Sequence, residues 1–296
     1  MAEGTITKIL SNFYYVDTGS SVVECKARGK FKKDCITPLV GDRVKISLNS
    51  KSDGVIDQVL ERKNSFLRPP VANVDQVVII ISNTIPVAVP FLIDQLTAIV
   101  DSSGCECIIC INKSDVDPGD ELYDIYSKAG FIVVRTSAST GEGICELISH
   151  IQGKLSVFTG NSGVGKSSIL NSIDPGFNLK VADVSQKLGR GRHTTRHTEI
   201  FSLACGAKVA DTPGFSSLDI ERVSPMLKED VQYAFREFDD YIGTCRFTDC
   251  SHTKEQGCSI RDAVEAGKIS RSRYGSYLRL YEQAKGLKEW ELAGKK

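Results

Sequence analysis

The stretch GNSGVGKSS at residues 160–168 restricts the fold more than any other part of the chain. Its pattern, Gly160-x4-Gly165-Lys166-Ser167, sets glycines in a short turn, so the backbone can bend until its amides converge on one point. The apolar run LSVF before it reads as a strand. SSILNSI after it reads as a helix start, ended by Asp174-Pro175-Gly176. Strand, glycine turn and helix in that order make a phosphate-binding loop, running from Gly160 through Asn161, Ser162, Gly163, Val164 and Gly165 to Lys166, Ser167 and Ser168. Lys166 can neutralise the β- and γ-phosphates of a nucleotide, and Ser167 can hold Mg2+. Such a loop works at the carboxyl end of a buried parallel strand, which commits the surrounding chain to an α/β sheet.

The neighbouring segments agree with that sheet. VDQVVIIIS at 74–82 is continuously apolar, as a strand covered on both faces must be. FLIDQLTAIVDSS then reads as helix, CECIICIN as strand, ELYDIYSKAG as helix, FIVVRTSA as strand, GICELISHI as helix and KLSVFTG as strand. Three polar motifs follow three of these strands: NKSD at 112–115, TSA at 136–138 and the phosphate loop.

NKSD alone is weak, since a four-residue match is often an ordinary polar turn. Its chemistry is nevertheless specific. Asp115 can accept from the ring N–H and the exocyclic amino group of guanine, a pair of donors adenine does not offer. Lys113 can lay its stem along the base, Asn112 can tether the phosphate loop, and Ser114 is counted with them as a GTP-binding residue. Ser137 and Ala138 lie one helix and one strand later, where the Ala138 amide can meet the guanine carbonyl. DTPG at 211–214 ends an apolar strand: Asp211 can bind Mg2+ through water and the Gly214 amide can sense a γ-phosphate. The polar, basic loop QKLGRGRHTTRHTE at 186–199 offers Thr194 or Thr195 as a switch ligand to Mg2+ and the γ-phosphate. All parts of a GTPase are present, but the base-reading tetrad precedes the phosphate loop. The order is a circular permutation, and the segment after DTPG runs directly into the C-terminal region, so its movement can be passed there.

Three domains are expected: a barrel over 1–66, the permuted GTPase over 70–222 and a helical zinc-binding region over 223–296. TITKIL, FYYVDT, SVVECKA, DRVKISL and GVIDQVL give five short strands, suggesting a small closed barrel such as an OB-fold, with an SH3-like barrel as the alternative. KARGKFKK at 26–33 places Lys26, Arg28, Lys30, Lys32 and Lys33 in one segment, either a solvated face or the start of a nucleic-acid groove. LRPP at 67–70 reads as a rigid linker. PMLKEDVQYAFREF reads as helix, and RSRYGSYLRLYEQAKGLKEW as a closing basic helix.

Cys245-x4-Cys250-x-His252-x5-Cys258 offers three thiolates and one imidazole, a closed donor set that fits one structural zinc ion. Cys25, Cys35, Cys105, Cys107, Cys110, Cys145 and Cys205 are scattered and read as small buried hydrophobes. His150 and His197 have no comparable neighbours. The formal net charge is zero, so any nucleic-acid site must come from local clustering. No stretch approaches the roughly 20 apolar residues of a membrane span and no leader is visible, which predicts a cytoplasmic protein.

With these motifs in hand the sequence resembles the ribosome small-subunit-dependent GTPase A family (RsgA, or YjeQ). The barrel, the permuted GTPase motifs, GRGRHTT, DTPGF and CRFTDCSHTKEQGC together carry the resemblance over nearly the whole chain. It implies an OB-fold, a permuted GTPase domain and a zinc-binding C-terminal domain. It also implies a role in late maturation of the small ribosomal subunit, contact with its rRNA, and hydrolysis stimulated by that subunit. GTP and GDP as ligands, other assembly factors as partners, and a monomeric state are expected with it.

Many GTPases carry a glutamine after the Gly of the second switch to orient the attacking water. Here that position is Phe215, which cannot do so, and slow hydrolysis by the isolated protein is expected. His193 in the first switch is the nearest polar candidate for that role, against the reading of an ordinary loop histidine. Lys268, Arg271, Arg273 and Arg279, just past the cysteine cluster, are expected to contact RNA phosphates. A competing reading is an RNA-binding assembly factor in which nucleotide only gates affinity. A metabolic P-loop kinase is a third, opposed by the guanine-selective motifs.

Overall fold

Alternating apolar residues build the first five strands: β1 (Ala2–Leu10), β2 (Phe13–Asp17), β3 (Val22–Ala27), β4 (Arg43–Leu48) and β5 (Asp53–Val59). Ile6, Val16, Val23, Cys25, Val44, Ile46 and Ile56 point inward and are almost completely buried. β1–β2–β3 form an antiparallel meander, β3 pairs parallel with β5, β5 pairs antiparallel with β4, and β4 returns to β1. The strand order 1-2-3-5-4-1 closes an OB-like barrel. The computed structural model describes residues 2–29, 31, 36–50, 52–67, 70–177, 198–211 and 226–286.

The expected linker at 67–70 is different in the structure. β6 (Ser65–Leu67) and β7 (Pro70–Ala72) pair antiparallel as a hairpin. The Ala72 amide donates to the Val40 carbonyl at 2.8 Å, and Val71 is fully buried. Pro70 stands first in its strand, where the missing amide costs least.

Downstream the chain alternates as β8 (Gln76–Ile81), α1 (Pro90–Ser102), β9 (Glu106–Asn112), α2 (Asp120–Lys128), β10 (Ile132–Thr136), α3 (Ile144–Ile151), β11 (Leu155–Thr159), α4 (Lys166–Ile173), β12 (Glu199–Ser202) and β13 (Lys208–Asp211). Single-turn 3-10 helices at Val231–Ala234 and Arg236–Phe238 precede α5 (Ser259–Glu265) and α6 (Arg271–Ala284).

Two structural units divide these elements. One comprises residues 1–76, 148–158 and 167–215, the other 77–147, 159–166 and 216–296. In the first, β11 pairs parallel with β13, β13 antiparallel with β12, and β12 antiparallel with β1, where Lys8 lies opposite Glu199 and pairs with it at 2.8 Å. In the second, β8, β9 and β10 lie side by side, with β9 and β10 parallel and Asn112 opposite Thr136. Cys105, Cys107 and Cys110 are buried in this unit and Cys25 in the barrel; Cys145 is exposed, Cys205 half-buried, and Cys35 lies outside the described residues.

Two readings of the C-terminal region need correction. The segment read as a helix, PMLKEDVQYAFREF, is two 3-10 turns broken at Phe235, whose φ of −118° and ψ of 89° leave the helical region. The break lets Phe235 and Phe238 both bury and stack, with ring centroids 5.3 Å apart. Arg273 does not face solvent. It is fully buried, its guanidinium bound by Glu237 (2.7 and 3.0 Å), Asp94 (2.8 Å) and Thr97 (2.9 Å), so no RNA phosphate can reach it. A buried arginine survives only where its donors are taken, and these three acceptors use four of its N–H groups. Lys268, Arg271 and Arg279 are exposed, and Arg279 also stacks over Phe91 at 3.7 Å.

Candidate nucleotide site and cysteine cluster

Asn112, the last residue of β9, is 2% exposed and connects three loops. Its Nδ2 donates to the Val164 carbonyl at 2.8 Å, and its Oδ1 accepts from the Ala138 amide at 3.3 Å. One side chain thus joins the tetrad, the TSA turn and the phosphate loop. Only glycine permits this closeness at position 165: φ there is +99°, and a Cβ would lie 2.2 Å from Asn112 Nδ2. Gly160 is constrained in the same way, since a Cβ would lie 2.1 Å from the Ile80 carbonyl oxygen.

Asp115 is exposed and receives the Ser139 hydroxyl at 3.1 Å. Hydrogen bonds from Ser137 and Ser139 hold its carboxyl below the usual aspartate range, so it is ionised and accepts only, the form that guanine's two donors require. The Ser114 amide donates to the Thr136 carbonyl at 3.1 Å, and the Ser137 amide to the Glu142 carbonyl at 3.0 Å, fixing both turns. Lys113 stands at φ +65° with its Nζ donating to the Ile85 carbonyl at 2.8 Å. That anchor lies 28 residues upstream in sequence, and nothing in the spacing pointed to it.

In the phosphate loop, Lys166 folds back on the carbonyls of Gly160 and Asn161. Burial lowers its pKa, so a phosphate would give this ammonium the counter-charge the loop carbonyls only partly supply. Val164 is buried; Ser162, Gly163, Ser167 and Ser168 are exposed, the last two on the first turn of α4. A hydroxyl at a helix start beside an open loop suits a hard divalent cation held through oxygen. Asp211 is the final residue of β13, opposite Glu199. His193, Thr194, Thr195, His197, Gly214 and Phe215 lie outside the described residues.

The cysteine cluster is compact. The ligand atoms of Cys245, Cys250, His252 and Cys258 all lie within 4.8 Å of one another. His252 Nδ1 is 3.5 Å from both Cys245 and Cys258 sulfurs, which are 3.9 Å apart. Zinc–sulfur bonds of about 2.3 Å and zinc–nitrogen bonds of about 2.0 Å in a tetrahedron put sulfurs about 3.8 Å apart and sulfur about 3.5 Å from nitrogen. Cys245, His252 and Cys258 therefore stand at zinc-binding distances, with the Cys250 sulfur within 4.8 Å of each. Burial holds the His252 imidazole below its ordinary pKa, which keeps it neutral, the ligand form.

The supports of this cluster were not visible from the cysteine spacing. Gln232 Oε1 faces His252 Nε2 at 2.9 Å, which leaves Nδ1 free for the metal. Tyr274 and Tyr277 of α6 donate to the carbonyls of His252 and Ser251, each at 2.8 Å. The Glu255 carboxylate accepts from the Ser251 hydroxyl and from the amides of Ser251, Thr253 and Lys254; against its burial, the Ser251 hydroxyl leads the backbone amides in holding its pKa down at about 2.

Among the barrel's basic residues, Lys26 sits over the Phe13 ring at 5.1 Å and Arg28 pairs with Asp57 at 2.7 Å. Both line a groove of about 620 Å³ with Tyr14 and Phe31. Lys30, Lys32 and Lys33 lie outside the described residues. Among the described residues no helix is long and apolar enough to cross a membrane.

Comparison with known proteins agrees with this geometry. A family model described as RsgA GTPase matches residues 59–221, and one described as RsgA N-terminal domain matches residues 3–56. A protein named small ribosomal subunit biogenesis GTPase RsgA from Caldanaerobacter subterraneus subsp. tengcongensis is 44% identical over 286 residues, covering 96% of each chain. One of the same name from Geobacillus thermodenitrificans is 43% identical over 291 residues, covering 96% of this chain and 98% of that one. The crystal structure of YjeQ from Thermotoga maritima matches with a TM-score of 0.82 at 34% identity, over 97% of this chain and 99% of that chain. YloQ, described as a circularly permuted GTPase, matches with a TM-score of 0.79 at 35% identity, over 97% and 96%.

Fold and motifs together define a P-loop GTPase whose elements follow a circularly permuted order. The base-reading tetrad is made before the phosphate loop, and the side chain of Asn112 joins the two. The chain belongs to the RsgA GTPase family and is a GTP hydrolase.

Proposed function

We propose that this GTPase binds the small ribosomal subunit and assists its late maturation, hydrolysing GTP slowly alone and faster on the subunit. The bridge from Asn112 to the phosphate loop carries the nucleotide half of this reading, because it joins base recognition to phosphate binding in one unit. Relatives named for small-subunit biogenesis, at 43–44% identity over nearly the whole chain, support the other half.

In this reading Asn112, Lys113, Ser114 and Asp115 hold guanine together with Ser137 and Ala138. The loop from Gly160 to Ser168 wraps the phosphates, with Lys166 releasing its own carbonyls to take them. Ser167, Asp211 and Thr195 are the residues to hold Mg2+, which when bound neutralises charge between the β- and γ-phosphates. Gly214 senses the γ-phosphate and His193 positions water. Cys245, Cys250, His252 and Cys258 hold one structural zinc ion. The three domains are 1–66, 70–222 and 223–296, the barrel meeting rRNA along its Lys26–Arg28 groove. The protein works in the cytoplasm as a monomer alongside other assembly factors.

GTP hydrolysis by the full chain, with and without purified small subunits, tests the proposal. A several-fold or greater rise in turnover on the subunit is expected; equal rates would overturn it. Phe215 in the usual glutamine position gives some weight to a factor whose nucleotide only gates RNA affinity. Equal subunit release with GTP and with a non-hydrolysable analogue would favour that alternative.

A further inference from the structure

The turn from Ser82 to Val89, between β8 and α1, touches both halves of the nucleotide site. Its Ile85 carbonyl anchors Lys113 at 2.8 Å, and its Asn83 donates to Asp117 at 2.8 Å, two residues past the tetrad. On its other side, the Pro86 ring lies 3.5 Å from where a Cβ on Gly163 of the phosphate loop would stand. The turn leads without interruption into α1, a 13-residue helix about 20 Å long.

The opposite side of α1 is held by the C-terminal region. Asp94 and Thr97 bind buried Arg273, whose other hydrogen-bond partner is Glu237 and whose guanidinium lies over the Phe235 ring at 4.7 Å. Arg236 grips the Asp101 carboxylate, and Ala98 belongs to the same apolar cluster as Phe235, Ile260 and Tyr277. Buried charges of this kind are poor generic glue, because their desolvation offsets much of their attraction. What they do well is fix one arrangement, since a shifted guanidinium loses several hydrogen bonds at once. The clamp is also incomplete: Asp94 Oδ2 is buried without a hydrogen-bond partner among the described residues. A helix held in one discrete position at its C-terminal-region face, and leading into the turn that anchors Lys113, is a route for coupling.

We propose that the C-terminal region sets guanine-nucleotide affinity through α1, with Arg273 as a positioning residue for the nucleotide site. The inference rests on the reading that the tetrad and phosphate loop hold guanine nucleotide. It makes α1 a route separate from the second switch. A partner that contacts the C-terminal region can alter nucleotide residence through this helix. Because coupling between two sites is reciprocal, bound GDP must tighten the clamp by the same factor.

The test is the dissociation rate of a fluorescent GDP from the full chain. Three variants are compared: Arg273→Lys, the milder Arg236→Gln, and Ile260→Val as a control that loosens the same apolar cluster away from α1. Zinc content and amide exchange in α1 are followed in each. Arg273→Lys and Arg236→Gln should speed GDP release about three- to tenfold. They should keep their zinc, and GDP should no longer slow amide exchange in residues 231–238. Ile260→Val should leave release unchanged. If α1 exchanges faster in both arginine variants while GDP leaves at the wild-type rate, the clamp is only structural and the proposal fails. If Ile260→Val speeds release equally, general loosening is the cause and the proposal also fails. A wild-type chain that does not bind GDP overturns the nucleotide reading itself, and this inference with it.

Discussion

The cysteine cluster and the base-reading tetrad, with the phosphate loop as far as Lys166, lie in the second unit, yet they are prepared for their ligands in opposite ways. The cluster stands at metal-binding distances already. Two tyrosines, Gln232 and Glu255 fix its backbone and imidazole, and its four donors lie within 4.8 Å of one another. The nucleotide site is only half prepared. Asn112 holds its loops together, but Lys166 is turned onto its own loop's carbonyls and must be drawn away by phosphate. A structural site benefits from rigidity, because its ion is never meant to leave. A switch needs a ligand that changes something on arrival.

The largest effect that can break this contrast is removal of the metal. Purified protein should carry about one zinc per chain, and structural zinc contributes on the order of 10 kcal/mol to folding. Chelation should therefore unfold residues 226–286 cooperatively, as followed by amide exchange, and because α1 shares their apolar cluster its protection should fall too. A metal-free chain with this region still protected would show that the tyrosines suffice without the ion.

Next is Lys166→Ala, which should lower GTP turnover about 10²- to 10³-fold while zinc content is unchanged. Undiminished turnover in a steady-state assay would move the phosphate site elsewhere.

Asp115→Asn should weaken GTP binding about a hundredfold, since two charge-assisted hydrogen bonds are lost, and should favour xanthosine nucleotides. Competition titration measures both. Equal GTP affinity would remove Asp115 from base reading.

The smallest is Gln232→Leu, which frees the imidazole to turn and should lower zinc affinity about tenfold, in a chelator competition, with GTP binding intact. No change in zinc affinity would mean that burial alone orients His252.

What could be seen in the sequence divides along the same line. Short-range patterns were legible: the strands, the tetrad, the phosphate loop and the cysteine spacing all declare themselves within a dozen or so residues. Contacts made across the fold were not. Arg273 read as a surface base among basic neighbours, because its partner Asp94 is 179 positions away and lies within an otherwise apolar helix. Lys113 gave no hint of Ile85 for the same reason. The segment before the cluster has helical spacing, but burying both Phe235 and Phe238 and aiming Arg236 and Glu237 at their acceptors wins over propensity. LRPP signalled a break, and Pro70 instead opens a strand that pairs with Ser65–Leu67, a contact the prolines alone do not announce.

The distance between Asp94 and Arg273 also matters while the chain is being made. A ribosome adding about 5–20 residues per second needs roughly 10–35 seconds to travel the 179 positions between them. Throughout that interval α1 exists with a carboxylate destined for complete burial and no cation to meet it. Burying that charge alone would be strongly unfavourable, so the helix cannot settle into its final place early. A nascent chain halted before residue 273 therefore lacks the cation that lets α1 pack as it does in the finished protein.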